Sequence, residues 1–241
     1  EPTTPTEPLP VPTGYALPPV GQYFDYQLGG DYPPAAQVGI VTRDWFAGTP
    51  EPGLYNICYV NAFQTQPPDD DERPDEREGW PAEVVLPNED PAWEGEFVID
   101  LSTSAHRAAA AAHVQTMIAS CEEKGFDAVE FDNLDTYSRF ADLPFGLAET
   151  LDHAAQLTAY AHDLGLPVFC AAGNENLPYL AYPAAYTAST IPVGALSPCN
   201  ERKSPTSCDG EDYWGSNYGA LAFLAPGVRM HTTDITGEDG Y

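Results

Sequence analysis

Short apolar segments alternate with polar or helix-forming segments along most of the chain, and the clearest is GFDAVEFDNLDTY at residues 125–137. Its apolar run breaks into the sequence DNLD, as is typical of a buried parallel strand whose C-terminal end opens into a polar site. Glu130 and Asp132 are two residues apart, so they project from the same face of this predicted strand. Because two unpaired carboxylates on one buried face are costly, we predict a functional site here rather than a charged turn.

The same alternation predicts two helices and eight strands along the chain. Ser104 can act as the N-cap of a helix over 104–124, which is rich in good helix formers and stops at Gly125. A second helix is predicted over 147–165, where apolar residues recur at helical spacing before a terminal glycine. The apolar runs that predict strands lie at residues 23–31, 36–45, 54–63, 91–102, 126–131, 166–176, 183–193 and 225–235.

This order of elements favours an α/β fold, a (β/α)8 TIM-like barrel, over a doubly wound sheet. In such a barrel, polar residues at the C-terminal ends of the strands converge on one mouth. The residues in that position are Gln27, Asp44, Asn61, Asp100, Asp132 and Glu175. No helix is visible after the eighth predicted strand and none is clear after the seventh, so we expect the barrel to be imperfect near its last strands.

The chain is expected to consist of a linker and one domain. Residues 1–19 are dense in proline and threonine and are predicted to be a disordered linker. Residues 20–241 are predicted to form a single catalytic-type barrel, since no later shift in composition marks a second domain. The sequence QTQPPDDDERPDEREGWP at 64–81 is polar and rich in proline, so we expect a surface loop there.

The charge of the chain is strongly unbalanced, with 37 acidic against 9 basic residues and a net charge of −28. An excess of this sign argues against partners such as nucleic acid or anionic membrane surfaces. No apolar run approaches the roughly 18–20 residues of a membrane span, so we expect no membrane insertion. The acidic balance suits a cationic substrate, and it also suits a protein that only has to be soluble outside the cell.

The cysteines agree with a secreted or cell-surface location, as does the proline- and threonine-rich start of the chain. Cys199 and Cys208 lie in one polar loop and are predicted to form a local disulfide. Cys58, Cys121 and Cys170 lie in apolar strand or helix contexts. At most two of these three can pair with each other, and the odd one is expected to be a buried free thiol.

Paired carboxylates at a barrel mouth are suited to glycoside hydrolysis. One carboxyl protonates the leaving oxygen, while the other acts as the nucleophile or as the base for water. We expect no metal, because the acidic triplet at 69–71 lacks the spacing of an EF-hand. We expect no cofactor either, since Gly29-Gly30 is not followed by a phosphate-binding motif. Ser102 and Ser104 lack the sequence context of a nucleophile elbow, which argues against a serine hydrolase.

Five segments resemble, in order and rough spacing, the endo-α-1,4-polygalactosaminidases, glycoside hydrolase family 114. They are ICYVNAF, RPD at 73–75, WEGEFVIDLS, GFDAVEFDNLDTY and AYAHDLGLPV. The resemblance covers about residues 23–175, and the DN-x-D-x-Y element is its sharpest part. It implies a (β/α)8 barrel that cuts α-1,4-linked galactosamine polymers. It also implies that Asp132 is the first catalytic carboxylate, and that the site and its mouth are shaped by Asn133, Asp135, Tyr137, Asp44, Tyr59 and Asp100.

The later part of the chain departs from the family pattern. The family carries a Lys-Asn pair at the end of the sixth strand, where this chain reads CAAGNEN. The family also has a glutamate just after the seventh strand, and here Ser189 or Thr190 occupies that place. Glu175, at the neighbouring strand end, is then the nearest candidate for the second catalytic carboxyl, and Glu130 is the next.

Two functions from different classes are consistent with these patterns. The first is a secreted glycoside hydrolase that cleaves α-1,4-linked galactosamine-containing polysaccharide through acid/base chemistry of Asp132 and Glu175. The alternative is a barrel that binds the polysaccharide without cutting it, because it has lost the second catalytic acid. The partner is an amino-sugar polysaccharide in both cases.

Overall fold

The structure, a computed structural model, describes residues 15–67, 79–182, 184–185 and 190–228. The described part contains the strands β1 (Tyr23–Gln27), β2 (Val38–Asp44), β3 (Tyr55–Asn61), β4 (Val85–Glu89), β5 (Phe97–Ile99), β6 (Ala128–Asp132), β7 (Val168–Ala171), β8 (Ile191–Leu196) and β9 (Phe223–Pro226). Its α-helices are α1 (Ser104–Lys124), α2 (Thr136–Arg139) and α3 (Leu147–Asp163), and a short 3-10 helix spans Ala82–Val84. No helix among these residues is long and apolar enough to cross a membrane.

Seven of the strands form one parallel sheet in the order β1-β2-β3-β6-β7-β8-β9. The sheet curls into a nearly closed barrel with an unsealed seam, so the predicted α/β barrel class is confirmed together with its imperfection. β6 lies in the middle of the seven strands, and its last residue, Asp132, is aligned with Asn61 at the end of β3. Parallel strands bring their C-terminal ends to one side, which places both residues at the barrel mouth.

The fourth predicted strand, over 91–102, is not part of the barrel. Only Phe97–Ile99 is extended, and it pairs with β4 in a separate antiparallel hairpin. The segment before β5 turns tightly, with Trp93 N–H donating to the carbonyl of Asp90 and Gly95 adopting a φ of +89°. This turn directs β5 back along β4, and β3 therefore pairs directly with β6.

The last two predicted strands are displaced along the sequence. β8 begins at Ile191 rather than at residue 183, because the chain first turns, with Ala185 N–H donating to the carbonyl of Ala181. β9 covers Phe223–Pro226 instead of beginning at residue 225. The rest of the eighth predicted strand, from residue 229 onward, lies outside the described residues.

Both predicted long helices are present, and their ends follow from local chemistry. The N-cap of α1 is Thr103 and not Ser104, since Thr103 Oγ1 accepts a hydrogen bond from His106 N–H at 3.1 Å. Gly125 ends α1 in the left-handed conformation, with a φ of 89°. α3 ends at Asp163, two residues before the predicted limit of 165.

The core lies between the barrel and helices α1 and α3. A disulfide joins Cys58 of β3 to Cys121 of α1, and both residues are completely buried. Cys170 is the buried free thiol expected from the odd number of cysteines. The predicted Cys199–Cys208 disulfide is also present.

Parts of two segments predicted to be exposed pack against the domain. Gln64 and Gln66, at the start of the expected surface loop, are buried, as is Trp80 near its end. The charged middle of that loop, 68–78, lies outside the described residues. From the end of the expected linker, the Ala16 carbonyl accepts a hydrogen bond from Tyr55 Oη at 2.9 Å, while 1–14 also lie outside the described part.

Candidate active site

Two tyrosine–carboxylate pairs occupy the centre of the barrel mouth. Tyr59 Oη donates to Asp132 Oδ2 at 2.7 Å, and Tyr26 Oη donates to Glu130 Oε1 at 3.2 Å. The two tyrosine rings meet edge to face with centroids 6.3 Å apart. Glu130 and Asp132 therefore share a face of β6, as their spacing predicts, and each carboxyl has its own phenol donor.

Asn133 connects Asp132 to a second group of polar residues. Its backbone has a φ of 62°, a left-handed conformation that asparagine tolerates better than most residues. Its N–H donates to Asp132 Oδ1 at 2.8 Å, and its Nδ2 donates to Asn61 Oδ1 at 3.0 Å. Asn61 Nδ2 in turn donates to Glu96 Oε2 at 3.1 Å, which brings Glu96 of the β4–β5 hairpin into the site.

Arg139, at the end of α2, binds three residues around the mouth. Its Nη2 donates to Asn133 Oδ1 at 2.5 Å, its Nη1 donates to Asp90 Oδ2 at 3.0 Å, and its Nε lies 2.9 Å from Asp135 Oδ1. Burial alone would raise the pKa of Asp90, but hydrogen bonds from Gln64 and the backbone, together with Arg139, hold that pKa below its ordinary value. One guanidinium thus ties α2 to the hairpin and to the end of β6.

Two glutamates of the site have unusual protonation equilibria. Burial, and then the negative charge of Asp132, raise the pKa of Glu130 to about 7. Burial also raises the pKa of Glu96 to about 7, aided by the charges of Asp132 and Asp90 and opposed by the hydrogen bond from Asn61. Both side chains are consequently part-protonated near neutral pH, which limits the negative charge around Asp132.

The two tyrosines remain proton donors over the whole physiological range. Burial and the nearby carboxylates raise the pKa of Tyr26 well above its ordinary value, Glu130 being the strongest of these neighbours. Burial and Asp132 have the same effect on the pKa of Tyr59. The name Asp132 cluster is used below for Tyr26, Tyr59, Asn61, Glu96, Glu130, Asp132, Asn133 and Arg139.

Glu175 lies beyond the end of the neighbouring strand β7 and is exposed. Its Oε2 accepts a hydrogen bond from Asn217 Nδ2 at 2.8 Å. Tyr137 lies near it, since burial, followed by the charges of Asp135 and Glu175, raises the pKa of Tyr137. The predicted residues Asp135, Tyr137 and Glu175 therefore form a second, more exposed group next to the Asp132 cluster.

Of the two remaining predicted site residues, Asp44 faces the site and Asp100 lies apart from it. Asp44, at the end of β2, is buried, and its charge contributes to the raised pKa of Tyr26, so it faces the site. Its Oδ1 accepts from Phe46 N–H at 2.8 Å. Asp100 instead lies at the start of α1, where it accepts from Ser102 N–H at 2.8 Å and lies 2.9 Å from His106 Nδ1. Its described contacts do not join it to the Asp132 cluster.

Sequence reasoning missed Glu96 and Arg139 as site residues. Glu96 lies inside a segment predicted to be a barrel strand, and only the hairpin turn brings it to the mouth. Arg139 carries a signal that could have found it, because it follows Asp135 by four residues, the spacing of an ion pair on a helix. No three His, Cys, Asp or Glu side chains in the described part of the chain are grouped so as to hold a metal ion.

Comparison with known proteins supports the predicted resemblance. The sequence model of glycoside-hydrolase family GH114 matches residues 5–189. The fold is similar to that of Aspergillus fumigatus Ega3 in complex with galactosamine, with a TM-score of 0.58 and 19% identity over 76% of this chain and 71% of that one. The glycoside hydrolase domain of Pseudomonas aeruginosa PelA has a TM-score of 0.48 and 16% identity over 81% of this chain and 76% of its own. No curated protein sequence matches the chain.

Proposed function

Since the chain belongs to glycoside-hydrolase family GH114 and is a glycoside hydrolase, we propose that it cleaves polysaccharides that contain α-1,4-linked galactosamine. The fold neighbour Ega3 was crystallised with galactosamine, which motivates the choice of sugar. The net charge of −28 supports the same choice, because a deacetylated amino sugar is cationic near neutral pH and is attracted by an acidic protein.

The observation that carries this proposal is the environment of Asp132. The carboxylate lies at the end of the middle strand of the barrel and accepts hydrogen bonds from Tyr59 Oη and Asn133 N–H. These two donors fix its orientation. A carboxylate that is oriented and open to the mouth is what the attack on a sugar carbon, or the activation of a water molecule, requires.

Glu175 is the proposed partner carboxyl. It is exposed at the end of the strand next to β6, where a leaving glycosidic oxygen can approach it, and Asn217 holds its side chain in place. Glu130 is the other candidate, since a pKa of about 7 would let it carry a proton at neutral pH. Its position two residues before Asp132 places it deeper in the barrel, which makes direct contact with a glycosidic oxygen harder.

We further propose that the protein acts outside the cell. Its two disulfides, Cys58–Cys121 and Cys199–Cys208, are bonds that persist in oxidising compartments.

Release of reducing ends from a partly deacetylated α-1,4-galactosamine polymer tests the function. We expect Asp132→Asn to lower kcat by about 1,000-fold or more, because general acid–base and nucleophilic groups each contribute about 100- to 10,000-fold. Glu175→Gln is expected to cause a comparable loss, and Glu123→Gln, on the exposed surface of α1, should leave kcat unchanged. Wild-type activity in Asp132→Asn would remove this carboxylate from the mechanism. A loss in Glu130→Gln but not in Glu175→Gln would reassign the acid.

One observation favours the binding-only alternative. Of the two residues expected at the place of the family's glutamate, Ser189 lies outside the described residues, while Thr190 is buried and its Oγ1 donates to the Ala184 carbonyl at 3.4 Å. A serine or threonine hydroxyl at that place cannot serve as the missing acid. Tight binding of the polymer without product after prolonged incubation would support that alternative, and release of oligosaccharides would exclude it.

A further inference from the structure

A cavity of about 590 Å³ lies beyond the C-terminal ends of β7, β8 and β9. Small residues form its floor, among them Ala171, Ala195 and Gly227. Its wall is the segment 197–222, named here the β8–β9 loop, which contributes Glu211, Tyr213 and Trp214. The volume is within the range of about 300–1,000 Å³ that is usual for small-molecule sites. The loop lies beyond residue 189, where the family match ends.

Buried charges and a covalent bond tie together the residues of the β8–β9 loop. Lys203 has an exposed fraction of 0%, and its Nζ lies 3.1 Å from Asp209 Oδ1. The same Nζ donates to the backbone carbonyl of Glu211 at 2.6 Å. The disulfide between Cys199 and Cys208 closes the loop around this pair. A buried ion pair is tolerated only when its remaining hydrogen bonds are satisfied, and Lys203 Nζ also donates to the Ser204 carbonyl and to Ser207 Oγ.

This framework fixes the Trp214 side chain at the cavity. Its Nε1 donates to Glu211 Oε2 at 2.6 Å, and Lys203 Nζ lies 5.1 Å from the centre of its ring. Glu211 Oε1 has no hydrogen-bond partner in the part of the chain that the structure describes. Tyr213, next in the wall, is 80% exposed. The cavity thus combines a fixed aromatic surface with a carboxylate that can accept further hydrogen bonds.

The cavity adjoins the proposed catalytic residue Glu175. Asn174 lines it and precedes Glu175 directly. Asn217 joins the two places, because its Nδ2 donates to Glu175 and its N–H donates to the Gly173 carbonyl at 2.8 Å. Gly173 has a φ of +104°, and a Cβ there would meet Asn217 and Glu175, so this close packing needs glycine.

We propose that this cavity is a subsite for a hexosamine residue of the polymer, next to the sugar at which the chain is cut. The Trp214 indole packs against the apolar face of the pyranose, and the Glu211 carboxylate pairs with its ammonium group. The proposal rests on the proposed function, which places the cleaved bond between Asp132 and Glu175. A neutral hexose has no group that uses Glu211 in this way, so the subsite selects deacetylated sugars.

Calorimetric titration of α-1,4-galactosamine oligomers into the full chain tests the subsite, with Asp132→Asn present throughout to prevent cleavage. Adding Trp214→Ala is expected to weaken binding about 10-fold, since it removes the aromatic surface against which the apolar face of the sugar packs. Trp214→Phe keeps an aromatic face and should retain most of the affinity. Glu211→Gln should weaken binding of the deacetylated oligomer but not of its N-acetylated counterpart, and the surface change Glu123→Gln should affect neither.

Unchanged affinity in both Trp214→Ala and Glu211→Gln would overturn the subsite, even if the wild type releases reducing ends. Weaker binding in these variants together with no hydrolysis by the wild type would leave the subsite standing and remove the proposed function. If Trp214→Ala does not fold, the acetylation dependence of Glu211→Gln decides. Loss of affinity for both oligomers in that variant contradicts pairing with the ammonium group.

Discussion

Asn133 shows how much of the site depends on a single side chain and its backbone. Its left-handed φ of 62° turns the chain at the end of β6, so that its N–H reaches Asp132 while its amide reaches Asn61. Its Oδ1 accepts from Arg139. Both polar atoms of this side chain are therefore used to connect the end of β6 with β3 and α2.

Asn133→Ala is expected to lower kcat by about 10- to 100-fold, because loss of the residues that orient a reacting group commonly has effects of that size. It should also destabilise the protein by about 1 kcal/mol for the positive φ, with the lost hydrogen bonds adding to this. Asp142→Ala is the matched control, since Asp142 has a φ of 64° and is exposed. Equal losses of stability in both variants, with kcat unchanged in Asn133→Ala, would contradict this role.

Glu96 should make folding stability depend on pH in a defined direction. Its pKa is raised from 4.5 to about 7 in the folded state, so the folded state binds more protons than the unfolded chain between these values. Stability from this group is then greatest below about pH 4.5 and is lost as the pH rises to about 7, by roughly 3 kcal/mol in total.

Glu96→Gln should remove this dependence. The difference in unfolding free energy between the variant and wild type, measured by urea unfolding, should change with pH. We expect it to shift by roughly 3 kcal/mol in favour of the variant as the pH rises from about 4.5 to about 8. Glu94→Gln, at an exposed position in the same hairpin, serves as the control for removing one carboxyl group. A constant difference in Glu96→Gln would show that its carboxyl titrates normally.

At the scale of elements, the β4–β5 hairpin and the β8–β9 loop supply the parts of the site that strand ends do not. The hairpin delivers Glu96, and the loop delivers Glu211 and Trp214. Each is anchored by its own polar contacts: Gln64 Nε2 donates to Asp90 Oδ2 at 2.9 Å in the hairpin, and Lys203 pairs with Asp209 in the loop.

The two disulfides should have separable effects. Removing the Cys58–Cys121 bond with Cys58→Ala and Cys121→Ala is expected to cost about 4 kcal/mol of unfolding free energy. The bond closes a long loop, because its two cysteines are separated by 63 in sequence. The separation of Cys199 and Cys208 is only 9, so their removal should cost about 3 kcal/mol or less. Its main effect should be a lower affinity for oligomers, since Trp214 loses its fixed support.

Chemical unfolding and calorimetric titration measure the two effects, and Cys170→Ala controls for the loss of a buried sulfur. Unchanged oligomer affinity in the Cys199→Ala and Cys208→Ala variant would show that the loop keeps its shape without the bond.

Long, regular elements could be predicted from the sequence, and short ones fixed by tertiary contacts could not. β6 and α1 are specified locally, by an apolar run that ends at Asp132 and by helix formers that end at Gly125. β5 has only three residues, and its antiparallel partner was not recognised as a strand. Asp132 was therefore accessible to sequence reasoning. Glu96 was not, because its place in the site depends on the hairpin turn rather than on its neighbours in the chain.

At the scale of the whole molecule, the net charge of −28 should act on stability and on substrate binding in opposite ways. Repulsion among like charges destabilises the folded state, whereas attraction draws in a cationic polymer. Raising NaCl from about 0.1 M to about 1 M shortens the screening length from about 10 Å to about 3 Å.

We therefore expect the higher salt concentration to raise Tm and to raise KM for the deacetylated polymer as well. Thermal unfolding and initial rates measure the two quantities. KM for an N-acetylated polymer is the control and should change little, because that substrate carries no charge to screen. A KM for the cationic polymer that does not change with salt would show that the acidic surface takes no part in its recognition.

The central position of β6 affects which parts of the barrel can open or be altered without disturbing Asp132. Three strands lie on each side of it, so local opening that starts at β1 or β9 reaches Asp132 last. Residues 190–228 build β8, β9 and the loop between them. They follow residue 189, where the family match ends, and their two strands lie at one edge of the sheet. A change of sugar preference confined to that end of the barrel would leave β6 and the contacts of Asp132 in place.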